Sequence, residues 1–357
     1  MGTERYIDAL LEEDIISAAE TLRSEDYDGK TVFVTGATGL IGSQLVRTLL
    51  RLNESGTEVR VVAFLRDEEK GRRVFFDCFD NPAFEMAVGE IDREIDYPGN
   101  VDYIIHAASP TDSRYFVKSP VETIHAAVEG SDNVLRFGVK KKVSAMVYLS
   151  SLEVYGTPQT ETPGGTVSEH DYGYIDPMNV RSSYSEGKRM VECLCVSYAK
   201  EYGLPVKVAR LSQTFGPGVK YDDGRVFAEF ARSVIEGKDI VLHTAGRTVR
   251  SYCYGKDAVT AILTVLTRGE TAEAYNVTNM DTACSIYEMA ELAAGLDPEK
   301  KVKVRVEIPE DAASFGYNPE MIIRLDSSKI EALGWKPTIG MKVMFERLIT
   351  SMLGQRE

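Results

Sequence analysis

Hydrophobic positions along the first part of the chain follow two alternating patterns. Short, nearly continuous apolar runs lie within residues 31–35, 57–67, 100–109 and 143–151, and amphipathic stretches such as residues 120–139 lie between them. Continuous apolar strands that alternate with helices are typical of a parallel sheet covered on both faces. The pattern therefore predicts an α/β fold built on a doubly wound parallel sheet.

Two regions depart from this alternation. Residues 1–29 are acidic and place apolar side chains at helical spacing, which predicts a partly helical prefix. Beyond about Gly216 the segments are shorter and turn residues are more frequent, which indicates a smaller lobe packed against the C-terminal ends of the strands. We therefore predict the prefix, a sheet domain over residues 30–215, and a lobe that occupies most of residues 216–357, with the chain crossing between the last two.

Composition and charge exclude several classes of protein. With 357 residues, 43% of them hydrophobic, the chain can bury a sizeable core. The net charge of −14 argues against a nucleic-acid or anionic-membrane surface, although an anionic small substrate needs only local Lys and Arg side chains. The sequence shows neither a membrane-length apolar run nor the layout of a signal peptide. The five cysteines form no CxxC pair, which favours free thiols over disulfides or a metal site.

A glycine-rich turn follows the first apolar run. Gly36, Gly39 and Gly42 have GxxGxxG spacing between a predicted strand and a predicted helix. Such glycines let the backbone approach a pyrophosphate, and the helix N-terminus supplies amide donors. The motif therefore predicts a Rossmann dinucleotide site, while a tight turn that only packs helix on strand is the alternative. The predicted cofactor contacts in this turn are Gly36, Thr38, Gly39, Leu40, Ile41 and Gly42.

The end of the second strand is where an adenosine ribose is expected. An acidic residue there favours NAD, whereas an arginine accommodates the 2′-phosphate of NADP. Arg66 and Asp67 compete for this role; the spacing favours Arg66 slightly, but an exposed arginine in a salt bridge is the alternative. The next strand closes near Glu90 and Ile91, which are predicted to meet the adenine.

Tyr184 and Lys188 form a YxxxK pair within a helical stretch, so both side chains lie on one helix face. A phenol with a pKa of about 10 is a poor base at neutral pH. A nearby ammonium group stabilises the phenolate and brings it into working range. The pair is therefore predicted to be catalytic, and Lys188 also to hold the nicotinamide ribose; a surface Tyr–Lys pair is the alternative.

In this order, the motifs resemble those of the extended short-chain dehydrogenase/reductases, which are nucleotide-sugar epimerases, dehydratases and decarboxylases. The resemblance runs from about Lys30 to Pro337 and is closest to UDP-glucuronate decarboxylases, through segments such as "RSSYSEGKR" and "RTVRSYCY". The motifs that carry it are the glycine turn, "HAAS" (residues 106–109), "SSLEVYG" (residues 150–156) and Tyr184-x-x-x-Lys188.

The resemblance implies a Rossmann domain at residues 30–215 with tightly bound NAD, although NADP is not excluded. It implies a substrate-binding lobe in residues 216–357, a cytoplasmic homodimer formed through a helical interface, and a role in polysaccharide biosynthesis. It also places Ala107, Ala108 and Ser109 beside the cofactor.

Family chemistry assigns a first step to three side chains. Tyr184 takes the proton from a sugar hydroxyl, the 4-OH in most relatives, while Ser151 hydrogen-bonds the same oxygen and Lys188 supports the phenolate. The resulting ketone is then reduced from its other face, loses water, or loses carbon dioxide if C5 carries a carboxylate. The resemblance therefore leaves decarboxylation and 4-epimerisation open.

Leu152 and Glu153 lie where relatives differ in their second step. Glu153 matches a glutamate of dehydratases and decarboxylases; a loop-capping or arginine-paired carboxylate is the alternative. The residue before it is an acid in 4,6-dehydratases and commonly a serine in decarboxylases. Leu152 has neither group, so it disfavours 4,6-dehydration, weakens the decarboxylase interpretation and suits a 4-epimerase.

Four further positions match substrate-binding positions of the family. Arg250 matches an arginine that meets the pyrophosphate or the sugar end, because a guanidinium suits bidentate anion recognition. Gln213 replaces the usual asparagine, and Tyr115 and Arg225 match positions near the substrate. A structural salt bridge is the alternative for Arg250.

Two alternatives come from other functional classes. A non-catalytic NAD-binding regulatory protein has no physical need of Ser151, Tyr184 and Lys188 together. An NADP-dependent reductase of a free small molecule has Arg66 in its favour, whereas Arg250 and the long C-terminal lobe favour a nucleotide handle.

Overall fold

The computed structural model describes residues 8–110, 113–158, 160, 165–309 and 320–356, without the side chains of residues 113 and 114. The start of the predicted prefix and most of residues 309–320, one of the turn-rich segments of the predicted lobe, lie outside these ranges. Residues 111 and 112, shortly after the "HAAS" motif, lie outside them as well.

Helices and strands alternate along the described chain. The strands are β1 (Thr31–Thr35), β2 (Arg60–Leu65), β3 (Phe84–Val88), β4 (Tyr103–His106), β5 (Ala145–Ser151), β6 (Thr166–Val167), β7 (Val206–Leu211), β8 (Gln213–Phe215), β9 (Ile240–Leu242), β10 (Val249–Tyr254), β11 (Ala274–Val277), β12 (Asn279–Ser285), β13 (Val304–Val306) and β14 (Ile322–Leu325). The helices are α1 (Ala9–Thr21), α2 (Leu40–Leu52), α3 (Glu68–Val74), α4 (Ser113–Lys118), α5 (Pro120–Lys141), α6 (Ser183–Tyr202), α7 (Val226–Glu236), α8 (Gly255–Arg268), α9 (Ile286–Ala294), α10 (Ser328–Glu331) and α11 (Met341–Gly354).

Seven parallel strands form the larger sheet, in the order β11-β7-β5-β4-β1-β2-β3. One face packs α2 and α8 in a core that includes Leu45 and Ile262, and the other packs α5 and α6 in a core that includes Val134 and Val191. The predicted doubly wound α/β fold is confirmed. The strand order reverses between β1 and β4, and such a switch point creates a crevice at the carboxyl ends of the strands.

A five-stranded sheet is separate from the larger sheet. Its order is β12-β10-β14-β6, with β8 paired to β10, and a small β9–β13 pair lies outside it. β6 and β8 precede residue 216 but belong to this sheet, whereas β11 follows it and belongs to the larger one. The chain therefore passes between the sheets several times, and the division at residue 215 stays a prediction.

The described part of the prefix is an integral part of the fold. Ile15 and Ala18 on α1 are buried. The Asp14 carboxylate accepts hydrogen bonds from the Tyr254 hydroxyl at 2.5 Å and from the Arg347 guanidinium at 3.1 Å. Burial raises the pKa of Asp14 to about 6, against the opposing effects of these two partners.

All five cysteines are free thiols. Within the described ranges, no group of three or more His, Cys, Asp or Glu side chains is arranged to hold a metal ion. No described helix is both long and apolar enough to cross a membrane.

Candidate active site

Two glycines of the glycine turn lie in close contact with neighbouring backbone, so that a side chain would not fit at either position. Gly36 has a φ of 65°, and a Cβ atom there would lie 2.6 Å from the Ala108 amide nitrogen. A Cβ atom on Gly42 would lie 2.3 Å from the Gly36 carbonyl oxygen. α2 begins directly after Gly39, and the first amides of a helix have no acceptor within it. The turn therefore requires glycine at both positions and leaves the first amides of α2 available to a pyrophosphate, whose binding there stays a prediction.

The "HAAS" segment lies against the same turn. The amides of Ala107 and Ala108 donate to the carbonyl and hydroxyl oxygens of Thr35, each at 3.3 Å, and Ser109 follows beside them. His106 is buried, with Nδ1 2.7 Å from the Thr35 hydroxyl and Nε2 3.0 Å from the Ser131 hydroxyl. Burial, with a smaller effect of the Lys188 charge, lowers the pKa of His106 to about 3. His106 is therefore a neutral structural residue under the turn.

At the end of β2, the two candidate ribose contacts are separated. Asp67 caps α3, because its carboxylate accepts from the Lys70 amide at 2.9 Å, whereas Arg66 is exposed. Farther along the crevice, Glu90 pairs with Arg93 at 3.2 Å. The Ile91 carbonyl accepts from the Asn133 side chain at 3.0 Å. Contacts of Arg66, Glu90 and Ile91 with the cofactor stay predictions.

Ser151 and Tyr184 meet where β5 ends and α6 begins. A hydrogen bond joins their side chains, and the Ser151 hydroxyl also accepts from the Glu153 amide at 3.3 Å. The Tyr184 ring stacks on Phe116 at a centroid distance of 4.3 Å. Burial raises the pKa of Tyr184 to about 12; the Ser151 hydrogen bond opposes this, the Glu153 charge adds to it, and Arg181 lowers it slightly.

Lys188 lies one turn further along α6 and is buried. Its ammonium group donates to the Leu149 carbonyl at 2.8 Å and lies 5.7 Å from the centre of the Tyr184 ring. Burial lowers the pKa of Lys188 to about 7, and the negative charge of Glu192 opposes that effect. The structure therefore brings together the three side chains that the sequence predicts for proton transfer.

A buried ion pair behind Lys188 was missed by the sequence analysis. Glu192 accepts from the Ser150 hydroxyl at 2.5 Å and from the Arg210 guanidinium at 2.7 Å. Arg210 is almost fully buried and also donates to the Tyr155 hydroxyl at 3.0 Å. The signal was present, because Glu192 follows Lys188 by four residues and shares its helix face.

Glu153 lies among two arginines and a serine. Its carboxylate is 3.4 Å from Arg181 and 3.8 Å from Arg250, and it accepts from the Ser185 hydroxyl at 3.3 Å. Arg250 is buried, and its Nε has no hydrogen-bond partner among the described residues. Buried donors are normally paired, so this guanidinium is a candidate anion contact. Arg181 and Ser185, which contact Glu153, are not among the residues that the sequence predicts for the site.

Leu152 lies in an apolar cluster of the smaller sheet, where it packs with Val167, Ile323 and Leu325. Only 3% of its surface is exposed. The side chain therefore contributes packing here, and its predicted substrate contact stays a prediction.

The remaining predicted substrate residues differ in their surroundings. Arg225 binds the Asp223 carboxylate through two nitrogens, at 2.9 and 2.7 Å, so that its charge is already paired. Gln213 is half-buried in β8 beside β10, and Tyr115 is exposed on α4. The contacts of these three residues with a substrate stay predictions.

Comparisons with known proteins give a consistent family assignment. The model of the NAD dependent epimerase/dehydratase family matches residues 32–278. UDP-glucuronic acid decarboxylase 6 from Arabidopsis thaliana is 29% identical over 313 residues, which cover 87% of this chain and 85% of that protein. UDP-glucuronic acid decarboxylase 1 from the same organism is 31% identical over 321 residues, which cover 89% of this chain and 69% of that protein.

Solved structures with this fold belong to enzymes that are named for different reactions. UDP-glucose 4-epimerase from Thermotoga maritima superposes with a TM-score of 0.75 and 21% identity, covering 92% of this chain and all of that one. DesIV, a dTDP-glucose 4,6-dehydratase from Streptomyces venezuelae solved with NAD, superposes with a TM-score of 0.74 and 21% sequence identity. That match covers 91% of this chain and 98% of the DesIV chain. At such identities the likeness shows the fold alone.

Proposed function

The chain belongs to the NAD dependent epimerase/dehydratase family, and from this premise we propose that it modifies a nucleotide-activated sugar through a transient 4-keto intermediate. Decarboxylation of a UDP-glucuronate-like substrate is the reaction that we favour. The observation that carries the choice is the cluster of Arg181 and Arg250 around Glu153, next to the proton-transfer residues. A sugar carboxylate needs such cationic partners, whereas a neutral sugar does not.

The first step is a proton transfer at Tyr184. NAD, when bound at the glycine turn, supplies a reversible hydride acceptor. Tyr184 accepts the proton of the sugar hydroxyl, and Ser151 orients that oxygen through a hydrogen bond. The chain alone holds the pKa of Tyr184 at about 12, so positive charge beside the ring is needed to make the phenolate accessible. Lys188 supplies part of that charge from the same helix face.

The second step depends on groups around Glu153. A ketone at C4 makes a C5 carboxylate a β-keto acid, which loses carbon dioxide without an acid at position 152. The electron pair of the broken bond becomes an enolate, which takes a proton from solvent at C5. The hydride removed in the first step then returns to C4, and Tyr184 returns the proton to the C4 oxygen. Arg250 and Arg181 then hold the carboxylate, and Glu153 keeps their orientation. The alternative is a nucleotide-sugar 4-epimerase, favoured by the apolar Leu152. A non-catalytic NAD-binding regulatory protein is the alternative from another class, and the assembled Ser151, Tyr184 and Lys188 argue against it.

A panel of UDP-, TDP-, GDP- and CDP-sugars tests this proposal. We expect mass spectrometry to show loss of carbon dioxide from UDP-glucuronate. An unchanged mass with an altered NMR spectrum would favour the epimerase, and loss of water would favour a dehydratase. If no sugar in the panel is changed, by either measurement and after addition of dinucleotide, the proposal is wrong.

Replacing Leu152 by serine tests the packing of that side chain. We expect the free energy of unfolding to fall by about 2–4 kcal/mol, because a buried leucine is lost from an apolar cluster. Denaturant unfolding measures this change, and Leu152→Met is the volume-matched control, with an expected loss below about 1.5 kcal/mol. A serine variant that is as stable as wild type and releases carbon dioxide faster would show that Leu152 acts on the substrate instead.

We also propose that the chain forms a homodimer through α5 and α6. These helices pack together and leave exposed apolar side chains, namely Val121, Ile124, Met190 and Val196. Exposed apolar patches of this kind mark interaction surfaces. The five free cysteines agree with the predicted cytoplasmic location, which stays a prediction.

Introducing a charge into this surface tests the dimer. We expect Val196→Glu to shift the molecular mass from dimer to monomer in analytical ultracentrifugation, because a carboxylate cannot be buried there without a partner. Val306→Glu is the control, since Val306 has the same 46% exposure but lies on β13, in a different part of the fold. A wild-type chain that is monomeric at all concentrations, or a dimer unaffected by Val196→Glu, would contradict the proposal.

A further inference from the structure

Two adjacent faces of α6 carry different parts of the candidate active site. Tyr184 and Lys188 lie on one face, and Ser185 and Arg189, each one residue further along, lie on the next. The Ser185 hydroxyl donates to the Glu153 carboxylate at 3.3 Å. The first face therefore carries the proton-transfer pair, and the second face contacts the charged cluster around Glu153.

Arg189 donates to two backbone carbonyls that belong to different segments. Its Nε donates to the Val154 carbonyl at 2.7 Å, and its Nη2 donates to the Gly173 carbonyl at 2.7 Å. Val154 follows Glu153 directly, and its side chain is buried in the apolar cluster of the smaller sheet. A planar guanidinium presents its donors in a fixed fork. Arg189 therefore fixes the two carbonyls relative to each other and to α6.

Gly173 belongs to a strap, residues 170–182, that leads from the smaller sheet into α6. The structure describes every residue of the strap and none of them is buried, so hydrogen bonds rather than a core hold it in place. The Gly173 amide donates to the Tyr155 carbonyl at 2.9 Å, and the Thr157 amide donates to the Tyr174 carbonyl at 2.9 Å. A Cβ atom on Gly173 would lie 1.8 Å from the Thr157 carbonyl oxygen. The strap is therefore in close backbone contact with the loop that follows β5.

Beyond this contact, the strap is closed by its own hydrogen bonds. The Ser182 hydroxyl donates to the Asp176 carbonyl at 2.6 Å, and the Arg181 amide donates to the Asn179 side chain at 3.0 Å. The Arg181 guanidinium lies 3.4 Å from the Glu153 carboxylate. The strap therefore presents Arg181 to Glu153 from a hydrogen-bonded turn.

We propose that Arg189 is a positioning residue of the active site, which holds the Glu153 loop and the strap together so that Glu153 and Arg181 keep their places beside the proton-transfer pair. The inference rests on the proposed function, in which this cluster binds the carboxylate of the sugar. Without Arg189, the two carbonyls lose their common donor and the cluster loosens. A sugar carboxylate is then held less tightly, whereas a neutral sugar on the same nucleotide loses nothing.

Titration with UDP-glucuronate and UDP-glucose tests the inference, because the two ligands share the nucleotide and differ in the carboxylate. Every full-length sample carries Tyr184→Phe to stop turnover, and the sugar titrations contain saturating NAD. We expect Arg189→Ala to weaken UDP-glucuronate binding about tenfold. Binding of UDP-glucose, and of NAD titrated separately, is expected to change less than about twofold. An equal loss for both sugars, or no loss for either, would overturn the inference.

Hydrogen–deuterium exchange gives a second measurement, which needs no sugar. The Gly173 and Thr157 amides join the strap to the loop, and we expect them to exchange about tenfold faster in Arg189→Ala. Lys200→Ala removes an exposed cation from the same helix and is the matched control, with both exchange rates expected to stay as in wild type. Unchanged exchange of both amides in Arg189→Ala would contradict the positioning role.

Arg189→Lys carries both tests if Arg189→Ala does not fold. An ammonium group lacks the planar fork and cannot hold both carbonyls in the same geometry, so we expect UDP-glucuronate binding to weaken about threefold or more. Wild-type binding and exchange in this variant would overturn the inference. If the chain with Arg189 intact binds UDP-glucuronate no more tightly than UDP-glucose, the proposed function is contradicted, and the exchange rates alone then decide whether Arg189 holds the strap.

Discussion

Replacing Tyr184 by phenylalanine is expected to lower kcat by about 10²–10⁴-fold, the range attributed to a positioned general acid–base group. The substitution removes only the hydroxyl that hydrogen-bonds Ser151. The ring keeps its stacking on Phe116, so the fold and dinucleotide binding are expected to stay as in wild type. Steady-state kinetics with the substrate found in the sugar panel, together with dinucleotide titration, measure both effects.

Tyr202→Phe is the control for this variant. Tyr202 lies at the C-terminal end of the same helix and is exposed, so its loss is expected to change kcat less than about twofold. Turnover retained in Tyr184→Phe would remove the tyrosine from the mechanism. A Tyr184→Phe protein that no longer folds or binds dinucleotide would show that the hydroxyl is structural.

Replacing Glu192 by glutamine is expected to lower the free energy of unfolding by about 3–5 kcal/mol, because it leaves the buried Arg210 guanidinium without its counter-charge. Arg210 is 1% exposed and therefore cannot recover its solvation by moving to water. Denaturant unfolding measures the loss. Glu201→Gln, at an exposed position of the same helix, is the control. We expect it to change the free energy of unfolding by no more than about 0.5 kcal/mol.

The same variant has a second readout in the pH dependence of kcat. The charge of Glu192 supports the ammonium form of Lys188, whose pKa is about 7 in the chain alone because burial lowers it. Without that charge the pKa of Lys188 falls further, so the ammonium form is lost at a lower pH. The limb of the profile that falls with rising pH is therefore expected to move to lower pH. An unchanged profile in a destabilised variant would show that Glu192 serves the fold alone.

The buried Glu192–Arg210 pair shows that helical spacing alone does not predict all the contacts of a helix face. The YxxxK spacing is sufficient to align Tyr184 with Lys188, because one helical turn determines it. Arg210 comes from β7, and only the packing of that strand beside β5 and α6 brings its guanidinium to Glu192. The same holds for Arg250, which reaches Glu153 from β10.

Local patterns in the sequence determined the parallel sheet, the glycine turn and the Tyr184–Lys188 pair. Each of these depends on residues within one strand, turn or helix, where alternation, glycine spacing and helical periodicity act directly. The order of family motifs also identified the family without any structural information.

Tertiary structure decided which side chains surround these motifs. Leu152 is buried because residues 167, 323 and 325 converge on it, and no local pattern reports that convergence. Asp67 is a helix cap, while Arg66, the neighbouring residue, stays exposed. Burial, charge pairing and pKa depend on atoms from distant segments. The chemistry at each motif is therefore set by packing that local sequence does not encode.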